Sequence, residues 1–271
     1  MQDAFIHNGS QKIHYYRVGA GSRTLILLHG FTDNGLCWPR LVESLKDRFD
    51  IIMMDGRGHG LSDAPENGYT PELQAGDVVS LINQLQVEKP VLIGHSLGAE
   101  IAAVTAVLYP DMTSAVVLVD PPWFDIDVRP AGNEMELRIE NLRKGIEAKH
   151  ASSFEQLMLF CAFENPTWDE CEREPWAISK KQVSSNAAAG INEQWPDWRQ
   201  VAAKITCPVL LAYADNDKGG IITPGLAAEA LGYWKNSRVV HFANAGHSIH
   251  REQFGPFLTS VIWFLRNIWM M

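Results

Sequence analysis

Cysteine is scarce in this chain, four in 271 residues, and Cys37, Cys161, Cys171 and Cys207 stand far apart with no C-x-x-C among them. That spacing excludes a small disulfide-framed fold. It predicts a reducing, cytoplasmic setting in which the thiols serve as small apolar side chains or surface groups. Basic runs are also missing: 23 Lys and Arg against 32 Asp and Glu leave a net charge of −9. A surface that tracks phosphates has nothing to be built from, so nucleic acid is not an expected partner. No apolar run approaches the roughly 20 residues of a membrane span, and Met1 to His7 lack the basic-then-apolar order of a secretory signal. Among the nine histidines no spacing suggests a metal cluster, and no cofactor is expected. The oligomeric state is left open.

What the chain does have is a core and a rhythm. Its length and 46% hydrophobic content support one large α/β domain with an insertion. Phe5-Ile6 and Ile13 to Val18 flank Asn8-Gly9, a hairpin signal. Thr24 to His29, Phe49 to Met54, Pro90 to Ile93, Ala115 to Val119, Val209 to Tyr213 and Arg238 to Phe242 are short apolar runs suited to buried strands. Helical spacing lies between them at Leu36 to Leu45 and at Pro71 to Leu85, where Leu73, Val78, Leu81, Ile82 and Leu85 form the expected buried stripe. Strands alternating with helices predict a mostly parallel sheet covered on both faces.

From Pro122 to Cys207 the strand rhythm stops. Glu134 to Lys149 and Phe154 to Phe163 have helical patterns. The stretch holds Trp123, Trp168, Trp176, Trp195 and Trp198, five of the nine tryptophans. These rings either pack the insertion onto the main domain or, in part, line a pocket; Trp123 and Phe124 are the candidates for lining.

Gly94-His95-Ser96-Leu97-Gly98 is the centre of the chain. A serine flanked at both second neighbours by glycine, between a buried strand and the small-residue helix start Ala99 to Val107, can sit on a tight turn with its hydroxyl exposed. Such a hydroxyl becomes a nucleophile when an imidazole takes its proton and a carboxylate orients the imidazole. His247, in Asn244-Ala245-Gly246-His247-Ser248 after a strand, is the candidate base, and His250 is assigned to the start of the final helix. His29, His59 and His95 are expected to be structural hydrogen-bonders, and Asp55 and Arg57 a pair that ties down a loop. The backbone N–H of Leu97, at the helix start, is one oxyanion donor by geometry. The N–H of Phe31 is the candidate second, with its ring narrowing the acyl side. Gly30 and His95 join Trp123 and Phe124 as candidate pocket residues.

Together with His29-Gly30-Phe31, Asp55-Gly56-Arg57-Gly58-His59-Gly60 and Gly246-His247, these motifs resemble the α/β-hydrolase superfamily, in its compact branch that carries a cap. The resemblance spans nearly the whole chain and is weakest between Pro122 and Cys207. It implies an eight-stranded sheet, a helical cap after the strand ending near Asp120, and a Ser, acid, His triad. The domains would be 1–121 and 207–271 for the core and 122–206 for the cap. The family places its acid after the strand Val209 to Tyr213 in a G-x-x-D turn, which favours Asp217, although Ala214 stands where the glycine would be. Asp215 and Asp120 are the alternatives, Asp120 because related enzymes sometimes take the acid from the earlier strand. The leading expectation is a serine hydrolase of small, apolar carboxylic esters or lactones acting through an acyl-enzyme. A carbon–carbon bond hydrolase, a cofactor-free perhydrolase and a ligand sensor that keeps the triad are the alternatives. An epoxide- or halide-processing enzyme is disfavoured, since it needs a carboxylate where Ser96 stands.

Overall fold

In a computed structural model, which describes residues 1–124, 132–191 and 196–270, the chain opens with an antiparallel hairpin, β1 (Gln2–Asn8) and β2 (Gln11–Val18). Asn8 pairs with Gln11 across a two-residue loop in which Gly9 takes φ 59°, the backbone form that tight hairpin turns demand. Then come β3 (Thr24–Leu28), α1 (Pro39–Leu45), β4 (Asp50–Met54), α2 (Pro71–Gln84), β5 (Val91–His95), α3 (Leu97–Leu108) and β6 (Ala115–Val119). The next segment is helical, with α4 (Asn133–Ala151), α5 (Phe154–Glu164), α6 (Arg173–Gln182) and α7 (Trp198–Ala202), and no strand among its described residues. The chain closes with β7 (Val209–Ala214), α8 (Pro224–Leu231), β8 (Ser237–Phe242), α9 (Ile249–Glu252) and α10 (Phe254–Met270).

The eight strands form one sheet in the order β1-β2-β4-β3-β5-β6-β7-β8. Every neighbouring pair from β4 to β8 is parallel, while β1 and β2 run antiparallel at one edge. Side chains alternate across the sheet. Ile26, Leu28, Ile52, Leu92, Val116 and Leu211 pack on the face covered by α2, α3, α7 and α8. Leu25, Leu27, Ile51, Ile93, Val117 and Leu210 pack on the face covered by α1 and α10. Burial on both faces is why these strands are continuous apolar runs. No described helix is long and apolar enough to cross a membrane.

Two local expectations are revised. The first helix starts at Pro39 rather than Leu36, because proline at the first helical position fixes φ and has no N–H to leave unpaired. On α2, Leu73 is 47% exposed, and Gln74 and Asp77 occupy the buried face instead. They are tolerated there because Gln74 Nε2 donates to Tyr69 O and Asp77 accepts from Arg57 and Asn8.

Candidate active site

The parallel strands all end on one side of the sheet, and the loops that follow β3, β5, β6 and β8 converge there. Ser96 lies between β5 and α3 at φ 52° and ψ −118°, outside the regions a side chain ordinarily favours. Its neighbours hold it there. A Cβ on Gly94 would run into the Gly98 carbonyl, and one on Gly98 would run into the Leu28 carbonyl. Ser96 N donates to Val119 O at 2.9 Å, tying the turn to β6. The residue stands at the helix N-cap, where a serine commonly spends its oxygen on a backbone N–H. Ser96 Oγ makes no such bond, and the residue is half-exposed.

His247 reaches this point from the loop after β8. Its Nδ1 lies 2.7 Å from Asp120 Oδ2, while Asp120 is fully buried at φ 45°. The Asp120 carboxylate also accepts from Ile221 N at 2.9 Å and Ile222 N at 3.1 Å. Nδ1 therefore carries the proton given to the carboxylate, and Nε2 is left as the basic nitrogen. No hydrogen bond yet joins His247 to Ser96 Oγ, and in unliganded sites such contacts often close only around substrate. The His247 loop is clamped by Glu252, whose carboxylate accepts from Gly246 N at 2.6 Å and Ser248 N at 3.1 Å.

The expectation of Asp217 as the partner of His247 is thus corrected to Asp120. Asp217 is exposed, in the single 3-10 turn Asn216–Lys218. Asp215 is committed elsewhere, accepting from His241 Nε2 at 2.7 Å and Asn244 N at 2.8 Å. The reason is the path of the loop after β7, which brings two backbone N–H groups to the site instead of a carboxylate. His95 pairs with Val119 across β5 and β6, so Ser96 and Asp120 are the next neighbours beyond the ladder. The carboxylate that meets His247 therefore follows the strand beside the one that leads into Ser96.

Opposite the elbow, residues 30–33 form a turn closed by Asp33 N donating to Gly30 O at 3.1 Å. Phe31 is its second residue, half-buried and packed against both the main core and a small cluster of Tyr69, Ile146, Val183 and Ala187. Among the described residues the N–H groups of Phe31 and Leu97 have no protein acceptor, as donors awaiting an oxyanion would. Gly30 lies against His95: an added Cβ would stand 2.7 Å from its Nδ1. His95 is buried, and desolvation first, then the nearby His247, push its pKa well below the ordinary value. Neutral His95 donates from Nε2 to the His247 carbonyl at 3.0 Å, tying the residue before the candidate nucleophile to the candidate base.

Trp123 does not line an open cleft. It is 1% exposed, stacks on Trp198 with ring centroids 5.1 Å apart, and donates from Nε1 to Glu100 Oε2 at 2.6 Å. A large ring with one polar edge was equally suited to core or pocket, and here a buried acceptor draws it inward. Phe124 is half-exposed beside it. Trp168 and Trp176 pack within the helical segment, and Trp195 lies outside the described residues. Asp55 and Arg57 do tie down loops, but not with each other. Arg57 pairs with Asp77 at 2.7 Å, and Asp55 pairs with His14 at 2.7 Å and accepts from the N–H groups of Gly35 and Leu61. His29 accepts from Gly56 N at 2.9 Å, and burial holds His59 down at about 3. Both act as neutral structural groups. Among the described residues no group of three or more His, Cys, Asp or Glu is placed to hold a metal ion.

An eight-stranded, mostly parallel sheet with a serine elbow after its central strand defines a class, and a family model described as the alpha/beta hydrolase fold matches residues 23–253. The chain belongs to that family. N-formylmaleamate deformylase of Pseudomonas putida is 28% identical over 258 residues, covering 93% of this chain and 92% of the relative. 2-(Acetamidomethylene)succinate hydrolase of Mesorhizobium japonicum is 45% identical over 113 residues, a match that spans 41% of this chain and 41% of that relative's length. Among solved structures, a thermophilic esterase of Thermogutta terrifontis is 25% identical, with a TM-score of 0.76 over 99% of each chain.

Proposed function

We propose that the protein is a serine hydrolase of small carboxylic esters or lactones, with Ser96 as nucleophile, His247 as general base and Asp120 as the carboxylate that orients it. The 2.7 Å bond between His247 Nδ1 and Asp120 Oδ2 carries the reading, because it fixes the tautomer that leaves Nε2 free to take the Ser96 proton. Ser96 Oγ attacks the substrate carbonyl carbon while its proton passes to His247. The resulting oxyanion accepts from the N–H groups of Leu97 and Phe31. Collapse of the intermediate expels the alcohol, which takes the proton from His247. Water then attacks the acyl-Ser96 ester, again with His247 as base, and releases the acid.

The segment 122–206 acts as a cap over this site. Phe31, Leu97 and Phe124, with Gly30 and His95 behind them, form the apolar pocket for the acyl group. A second reading makes the scissile carbonyl an N-acyl amide rather than an ester. It is favoured by two relatives whose names carry an acetamido and an N-formyl group. The same triad serves both.

The test is labelling by a fluorophosphonate, which Ser96 Oγ would attack with loss of fluoride, followed by turnover on a panel of p-nitrophenyl esters, lactones and N-acyl amides. Stoichiometric labelling at Ser96 and an acyl-enzyme burst are expected. Absence of both, with ligand-dependent melting only, would make the protein a binding module instead.

A further inference from the structure

The turn that presents Phe31 is strained at the next residue. Thr32 has φ 68°, at the position where a turn of this kind ordinarily takes glycine. A β-branched side chain is a poor occupant of that region, and it stays only where the surroundings over-determine it. Those surroundings are a lysine from far along the chain. Lys180 Nζ donates to Thr32 O at 2.7 Å, to Thr32 Oγ1 at 3.0 Å and to Asp33 Oδ1 at 2.8 Å, with Ser179 Oγ at 3.3 Å. Its side chain is 4% exposed. Asp33 is held from the other side by Arg251 Nη2 at 3.0 Å, and although burial pushes its carboxyl up, the two cations together outweigh that and keep it well below the usual carboxylate range.

We propose that Lys180, carried on α6 of the 122–206 segment, is a positioning residue for catalysis: it holds Thr32 in its strained form and so fixes the backbone that aims the Phe31 N–H at the oxyanion. The inference rests on the hydrolase reading above. Both charge and reach are used. The ammonium binds the carbonyl and hydroxyl of the one residue that would otherwise relax, and Asp33 anchors the ammonium in a buried place. A lysine there for packing alone would need only the ion pair with Asp33. If Thr32 relaxes to negative φ, the Phe31–Thr32 peptide rotates and the donor N–H rides on a loosened segment. Misplacement by about 1 Å can cost on the order of a hundredfold in rate.

The experiment is a double-mutant cycle of Lys180→Met and Thr32→Gly, read as kcat and KM on p-nitrophenyl acetate and as the rate of fluorophosphonate labelling at Ser96. Lys180→Met is expected to lower kcat and the labelling rate by about 10- to 100-fold, with KM within about threefold. Thr32→Gly alone should lose much less than Lys180→Met does, since it gives up the Oγ1 contact but glycine adopts positive φ without strain. In the Lys180→Met background, Thr32→Gly should restore most of the loss. Unchanged kcat in Lys180→Met, or a loss that glycine does not restore, overturns the proposal. If Lys180→Met does not fold, Lys180→Leu, which likewise has no donor to hold the Thr32 carbonyl, enters the same cycle with the same two outcomes. Wild type that is not labelled at Ser96 would instead sink the hydrolase reading itself.

Discussion

The two halves of the site, the elbow at Ser96 and the turn at Phe31-Thr32, each contain a residue at positive φ, 52° for Ser96 and 68° for Thr32, but they are supported differently. The elbow is held by backbone. Glycines 94 and 98 let a strand, a helix and the end of β3 approach until no Cβ would fit, and all of these parts belong to the central sheet or to the helix that directly follows its β5 strand. The turn is held by side chains, Lys180 and Arg251, that arrive from α6 and α9. Backbone support is local and does not titrate. Side-chain support is remote, depends on charge, and ties the turn to α6 and α9.

That contrast can be broken at several points. Ser96→Ala should have the largest effect, on the order of a millionfold in kcat, with an unchanged melting temperature, because the elbow is made by the glycines and not by Oγ. Paired ester kinetics and thermal melts check it, and residual activity above a few per cent would remove Ser96 from its role. Gly98→Ala should be costly in a different way. Its methyl meets the Leu28 carbonyl, and an overpacked contact of this kind costs about 1–3 kcal/mol. The readout is urea denaturation, in which this variant should unfold at clearly lower denaturant than wild type, while an unchanged midpoint would show that the elbow is looser than its contacts imply.

The turn's support, unlike the elbow's, should respond to pH. Glu172 is 2% exposed, and desolvation pushes its pKa up to about 7 against the opposing pull of Arg251, whose Nε lies 3.4 Å away. A carboxyl raised in the folded state stabilises the fold fully below the ordinary carboxyl range and loses that contribution as pH rises through about 7. At about 1.4 kcal/mol for each pH unit between the two values, the sum is on the order of 3 kcal/mol. Wild type should therefore lose melting temperature between pH 5 and pH 8 relative to Glu172→Gln, which has nothing to titrate there. Parallel pH curves for the two proteins would show that Glu172 is ionised throughout.

The same contrast explains what could be read from the residues alone. The elbow was legible because five consecutive residues contain both its chemistry and its steric cause. The sheet was legible because strands buried on two faces have no room for polar residues. Lys180 was not, since it meets Thr32 across 148 positions and nothing near either residue announces the other. Trp123 could not be placed, because a pocket and a core ask for the same aromatic surface. The acid is the instructive case. Asp120, Asp215 and Asp217 all follow strands on the active side of the sheet, and only the path of the loop after β7, which aims the N–H groups of Ile221 and Ile222 at Asp120, separates them. Ala214 in place of the family's glycine was the one local sign that this loop differs.

The most direct measurement sets Asp120→Asn beside Asp217→Asn, with kcat on one p-nitrophenyl ester as the readout and thermal melts as the control for folding. An asparagine at 120 keeps the shape but leaves His247 without the carboxylate that fixes its tautomer, and a loss on the order of ten-thousandfold is expected. Asp217→Asn, exposed and not hydrogen-bonded to the histidine, should stay within about twofold of wild type, as surface substitutions generally do. The reverse ranking, with Asp217→Asn the crippled enzyme and Asp120→Asn active, would contradict the assignment of Asp120 and return the acid to the loop after β7.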